Sequence, residues 1–64
     1  MKAKLILVDE VGNQLYETTE GAKFTAWLTG WHKAKDVKVG DEGELLWQTT
    51  PSMGYYTFIK SEIQ

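Results

Sequence analysis

A chain of 64 residues without a single cysteine must hold its shape by side-chain packing alone. No disulfide and no thiolate zinc site is open to it, and one core in a chain this short supplies only about 3–5 kcal/mol of net stability. The length accommodates one small domain, residues 1–64. Its rings make a core feasible: three Trp, three Tyr and two Phe are present, and a large ring takes on the order of 150–250 Å² out of water when buried. Which of these rings lie inside is therefore the question on which function turns.

Runs of aliphatic, aromatic and β-branched residues alternate with turn signals at intervals of about 8–12 residues, the pattern of an all-β barrel or sandwich. Lys2 to Val8 is aliphatic and too short for a helix of its own. Gly12-Asn13 suits the positive φ angles of a hairpin turn, and Leu15 to Thr19 reads as the returning strand. Residues 22–31 carry two patterns. Phe24, Trp27, Leu28 and Trp31 fit the helical i, i+3, i+4, i+7 spacing, while Phe24, Ala26 and Leu28 fit strand alternation equally well. Thr25, Thr29 and the bounding Gly21 and Gly30 favour the strand; a helix here would make the fold ββαββ. His32 to Asp36 reads as a loop, and Val37 to Val39 leads into a two-glycine turn at Gly40 to Gly43. Glu44 to Thr50 and Tyr55 to Ile59 read as strands around a turn at Pro51 to Gly54, with Lys60 to Gln64 forming a closing 3-10 turn.

Two stretches resemble a known class. The run Val37-Lys38-Val39-Gly40-Asp41-Glu42-Gly43-Glu44-Leu45 is similar to the turn of small SH3-like and KOW-type barrels, where an apolar-Gly-Asp-x-Gly-x-apolar segment joins two antiparallel strands. Gly54-Tyr55-Tyr56, followed by Phe58 and Ser61-Glu62-Ile63, resembles their closing strand and short 3-10 turn. The likeness spans residues 37–63. It implies an SH3-like or related five-stranded barrel, a class that serves as protein-interaction, peptide-binding or nucleic-acid-binding modules. The paired aromatics and acidic loop of the peptide-binding branch are missing, as are the arginines of the KOW branch, so no ligand carries over.

Charge narrows the partners. All seven basic residues are lysines, set against nine carboxylates, for a net −2. That excludes a whole-surface nucleic-acid binder, though not a local basic patch. Without arginine there is no guanidinium fork for bidentate recognition of carboxylate, phosphate or guanine. Leu5 to Val8 is too short for a signal-peptide core, and no run approaches the roughly 20 apolar residues that span a bilayer. The expected location is the cytoplasm, with no membrane association.

Catalytic groupings are thin. The one histidine, His32, would have to join Ser52 or Ser61 and Asp36 in a nucleophilic triad, and neither serine sits in a nucleophile signature. The plainer reading is a loop histidine beside an exposed ring. Asp41, Glu42 and Glu44, like Asp9 and Glu10, fall at turns without the spacing of a calcium loop; their plainer role is to keep sheet ends soluble. Gly40 to Gly43 places two carboxylates where a phosphate would sit. The expectation is no enzyme, no cofactor and no metal.

One patch points to binding. With Phe24, Ala26 and Leu28 inward, Lys23, Trp27 and Trp31 point outward. Trp31 to Lys38 then carries three lysines against one aspartate, a local +2. Tyr55 and Tyr56 are adjacent in a strand, so they face opposite sides. The candidate site is Lys23, Trp27, Trp31, His32, Lys33, Lys35, Lys38 and Tyr55. Exposed aromatics in a polar rim suit a protein partner; the same rings among lysines suit single-stranded nucleic acid. The acidic total favours the protein partner. Small size and lysine-only basicity further suggest a phage or mobile-element regulator or inhibitor of host machinery, able to homodimerise through an edge strand. The plain alternative is that all three tryptophans are core.

Overall fold

The computed structural model describes residues 1–18 and 24–61. These form five strands, β1 (Lys2–Val8), β2 (Gln14–Thr18), β3 (Thr25–Leu28), β4 (Glu42–Thr49) and β5 (Gly54–Lys60), with a 3-10 turn at Gly30–His32. Every pairing is antiparallel, and the order across the sheet is β3-β2-β1-β4-β5. β1 thus belongs both to a β1-β2-β3 meander and, through β4, to the β4-β5 hairpin. Because direction reverses at each step, the two edge strands β3 and β5 run the same way. No backbone ladder among the described residues joins them. The sheet curls until Phe24, the residue just before β3, and Tyr56 of β5 bring their rings to 5.3 Å.

The all-β, five-stranded expectation holds; of residues 22–31, the described part 24–31 forms a strand followed by the start of a 3-10 turn, not an α-helix. Thr25–Leu28 is a strand whose burial alternates, with Ala26 and Leu28 buried and Thr25 and Trp27 exposed. Alternation builds the core from every strand: Ala3 and Leu5 on β1, Tyr16 on β2, Ala26 and Leu28 on β3, Leu45 on β4 and Phe58 on β5. Tyr16 lies at its centre, ring to ring with Phe58 at 4.3 Å. The alternation of β1 is interrupted by a register shift between Leu5 and Leu7, an irregularity of the bulge type that re-aims the following side chains. Leu7 then pairs with Leu15, which pairs with Trp27 on β3, so an apolar row crosses the outer face of the meander.

The turns are built from short polar side chains. Asp9 Oδ1 accepts from the N–H groups of Val11 (3.0 Å) and Asn13 (2.8 Å), while Gly12 supplies the positive φ of +90°. At the β4-β5 turn the Thr50 hydroxyl oxygen accepts from the Met53 N–H at 3.0 Å.

One expected turn is corrected, and another at its first residue alone. The turn before β4 closes at Lys38 to Asp41, where the Asp41 N–H donates to the Lys38 carbonyl at 3.0 Å, and Gly40 alone is its glycine. Gly43 lies inside β4, opposite Lys60, where a Cβ would run into the backbone of Ile59 and Lys60 and the Phe58 ring. Consequently Val37 to Leu45 does not link two strands; it leads from a loop into one, and Leu5 fastens it by bonds to Gly40 and Asp41. Lys60 ends β5 rather than starting a 3-10 turn, and residues 62–64 lie outside the described residues.

Residues 33–41 have little regular structure, yet they are tied down. Gln14, buried on β2, donates from Nε2 to the Ala34 carbonyl (3.0 Å) and accepts at Oε1 from the Ala34 N–H (2.9 Å) and the Tyr16 hydroxyl (3.1 Å). Ala34 and Val37 pack against the core, and Lys60 Nζ donates to the Asp36 carbonyl (3.4 Å) and pairs with Asp41 (3.6 Å). No helix among the described residues is long and apolar enough to cross a membrane.

Candidate aromatic binding groove

The tryptophans are not core. Trp27 is 45% exposed, Trp31 72% and Trp47 57%. Trp27 points out because its neighbours Ala26 and Leu28 point in. Trp31 is carried by the 3-10 turn that follows β3, and Trp47 stands on β4 two residues beyond the buried Leu45.

Trp27 and Trp47 border a groove of about 380 Å³ between the edges β3 and β5. Residues 24–28 form one wall; Trp47 and residues 53–56 form the other; His32 lies at the margin. At one end Tyr56 meets Trp47 at 4.8 Å and Phe24 at 5.3 Å, both edge-on. Three further rings stand close together beside it: His32 lies 3.7 Å from Trp31 and 4.4 Å from Tyr55, with Trp31 and Tyr55 5.1 Å apart. The Nδ1 of His32 is buried and has no hydrogen-bond partner among the described residues. A second depression, lined by Gly12, Gln14, Gly30, Trp31, Lys33, Ala34 and Lys35, opens beside Trp31.

Charge around the two depressions is one-sided. Neither has a carboxylate among its described lining residues. Three acids have partners elsewhere. Asp9 is committed to its turn and Glu44 pairs with the N-terminal ammonium at 3.1 Å. Asp41 accepts from the Lys38 N–H, which holds its carboxyl below the ordinary range, with the Lys60 charge adding to the effect. Burial pushes the Tyr16 phenol up to about 12, and the negative Asp41 adds to this.

Of the residues expected at the site, Trp27, Trp31, His32, Lys33, Lys35 and Tyr55 line one or other depression. Lys38 lines neither and sits at the turn with Asp41, while Lys23 lies outside the described residues. Phe24, Trp47, Met53 and Tyr56 line the groove without having been expected there. A signal for two of them was present: pairing across the Pro51 turn sets Trp47 opposite Tyr56 on the face that carries Leu45 and Phe58. The ring contacts of His32 are with Trp31 and Tyr55. No cluster of three or more His, Cys, Asp or Glu side chains among the described residues could hold a metal ion.

Comparison of the chain with protein-family models, curated proteins and solved structures finds no match.

Proposed function

We propose that this protein is a non-enzymatic binding module for single-stranded nucleic acid, which stacks bases on the ring system between β3 and β5. The observation that carries the reading is a groove with no carboxylate among its described lining residues, bearing the exposed Trp27 and Trp47 and four half-buried rings, near a lysine-lined depression, on a chain whose net charge is −2. Rings in such a groove offer π-faces to any base, and base–aromatic stacking contributes about 1–3 kcal/mol per base. The strand order lends support by analogy. A meander and a hairpin sharing β1, with the free edges curled together, is the connectivity of five-stranded Greek-key barrels that bind oligonucleotides and oligosaccharides near their β1-β2 and β4-β5 loops. Here Gly12 and Met53 bring those two loops to the two depressions.

A second reading rests on a different surface. The Leu7, Leu15, Trp27 row is an exposed apolar strip of the kind that anchors a protein partner, including a component of host machinery.

Titration of the protein with mixed-sequence single-stranded DNA and RNA at low salt, followed by tryptophan emission and acrylamide quenching, separates the two. Protection of the rings on binding, reversed by salt, with a loss of at least fivefold in affinity for Trp31→Ala, is the expected result. Accessible rings that ignore both nucleic acids at low salt would overturn the reading in favour of the protein partner.

A further inference from the structure

The lysines are not equivalent. Six of the seven lie among the described residues, and the fold sets four of them against acids. Lys2 faces Glu44, and Lys4 faces both Glu42 and Glu17, as cross-strand neighbours. Lys60 pairs with Asp41. Lys38 donates its backbone N–H to Asp41, and its charge helps to hold that carboxyl ionised. Lys33 and Lys35 differ. They share the depression beside Trp31, which has no acid among its described lining residues, and neither faces a carboxylate across a strand pair; Lys33 Nζ donates only to the Val11 carbonyl, at 3.5 Å, which leaves its charge unopposed there.

Backbone fixation reinforces the distinction. Ala34 stands between the two lysines, and both its N–H and its carbonyl are bonded to the buried Gln14 side chain. The two side chains therefore leave a segment held in place against β2, not a free arm. A cation presented from a fixed backbone loses less conformational freedom on binding than one on a mobile loop.

Resting on the nucleic-acid reading, we propose that Lys33 and Lys35 are the phosphate contacts among the described lysines, so that a single strand passes from their depression over Trp31, His32 and Tyr55 into the groove between β3 and β5. Lys38, assigned to the patch by sequence proximity, is outside this path and takes no phosphate. Lys60 is excluded because it pairs with Asp41, and Lys2 and Lys4 because they stand across the sheet from carboxylates, away from both depressions.

The test is the salt dependence of binding to a short oligothymidylate, read by tryptophan emission. Each phosphate neutralised on a single strand adds about 0.7 to the slope of log affinity against log salt. Lys33→Gln and Lys35→Gln are each expected to lower the slope by about 0.7 and weaken binding at low salt, while Lys38→Gln and Lys4→Gln leave the slope as it was. Binding that still needs Trp31 but keeps its slope in both Lys33→Gln and Lys35→Gln overturns the phosphate assignment and leaves the stacking site standing. A lowered slope in Lys38→Gln or Lys4→Gln overturns it as well. No binding by the unaltered protein at low salt overturns both.

Discussion

Two ring pairs stand on one face of the sheet and share β5, yet they have opposite fates. Phe58 meets Tyr16 at 4.3 Å, deep in the core. Tyr56, two residues earlier on the same face, meets Trp47 at 4.8 Å, and Trp47 is more than half exposed. Chemistry and alternation are the same in both places. What differs is the cover. Residues 33–41 are fastened over the Tyr16–Phe58 end by Gln14, Lys60 and the packing of Ala34 and Val37. The Trp47–Tyr56 end carries a groove instead. Alternation decides which face of a strand a ring occupies, and the connecting loop decides whether that face is interior.

The contrast makes its strongest prediction at Phe58. Phe58→Ala removes a buried ring at a cost of about 3–5 kcal/mol, comparable to the whole net stability of a chain this size. Loss of the cooperative unfolding transition by circular dichroism is the expected outcome. Gln14→Leu comes next: it leaves the Tyr16 hydroxyl and the Ala34 N–H and carbonyl without their buried partner, for an expected loss of about 2–3 kcal/mol in urea denaturation. Trp47→Ala, the counterpart of Phe58→Ala on the open end, is expected to cost under about 1 kcal/mol in the same assay while weakening binding to single strands. A Trp47 variant as damaged as the Phe58 one would erase the distinction between the two pairs.

Alkaline pH probes the covered pair further. An unfolded tyrosine releases its proton near 10, whereas Tyr16 in the fold holds it up to about 12. Across that interval the unfolded state binds fewer protons, so the contribution of Tyr16 is complete below pH 10 and is lost as pH climbs through 12. Tyr16→Phe should flatten this part of the stability profile. The smallest effect lies at the acid end. The depressed Asp41 carboxyl contributes stability that fades as pH falls through and below the ordinary carboxylate range, and Asp41→Asn should remove that slope.

Much of this architecture was legible from residue pattern. The Gly12-Asn13 turn, the strand character of Thr25–Leu28 and the outward aim of Trp27 all follow from two-residue alternation and turn chemistry, which act over a few residues. Long-range closeness was not legible. Gly43 read as a turn residue because glycine pairs usually mark turns, and only the approach of β5 backbone shows why β4 needs it. Lys38 was grouped with Lys33 and Lys35 by sequence distance, while Asp41 holds the Lys38 backbone at a separate turn. Trp47 and Tyr56 were each visible as rings; their meeting at the edge of a groove depends on the register of β4 with β5 and on the curl that brings β3 across.

The Gln14 side chain has a consequence for dynamics. Its amide takes the place of a peptide group, so the Ala34 backbone is bonded to the sheet as though by one more rung, sharing an acceptor with the central tyrosine. The segment bearing Lys33 and Lys35 therefore cannot lift away without unsatisfying a buried oxygen and disturbing the hydroxyl of the core. It belongs to the same cooperative unit as β2. In deuterium exchange the Ala34 amide should keep pace with the amides of the central strands, slow as global opening is slow, although it sits in a stretch with no regular secondary structure.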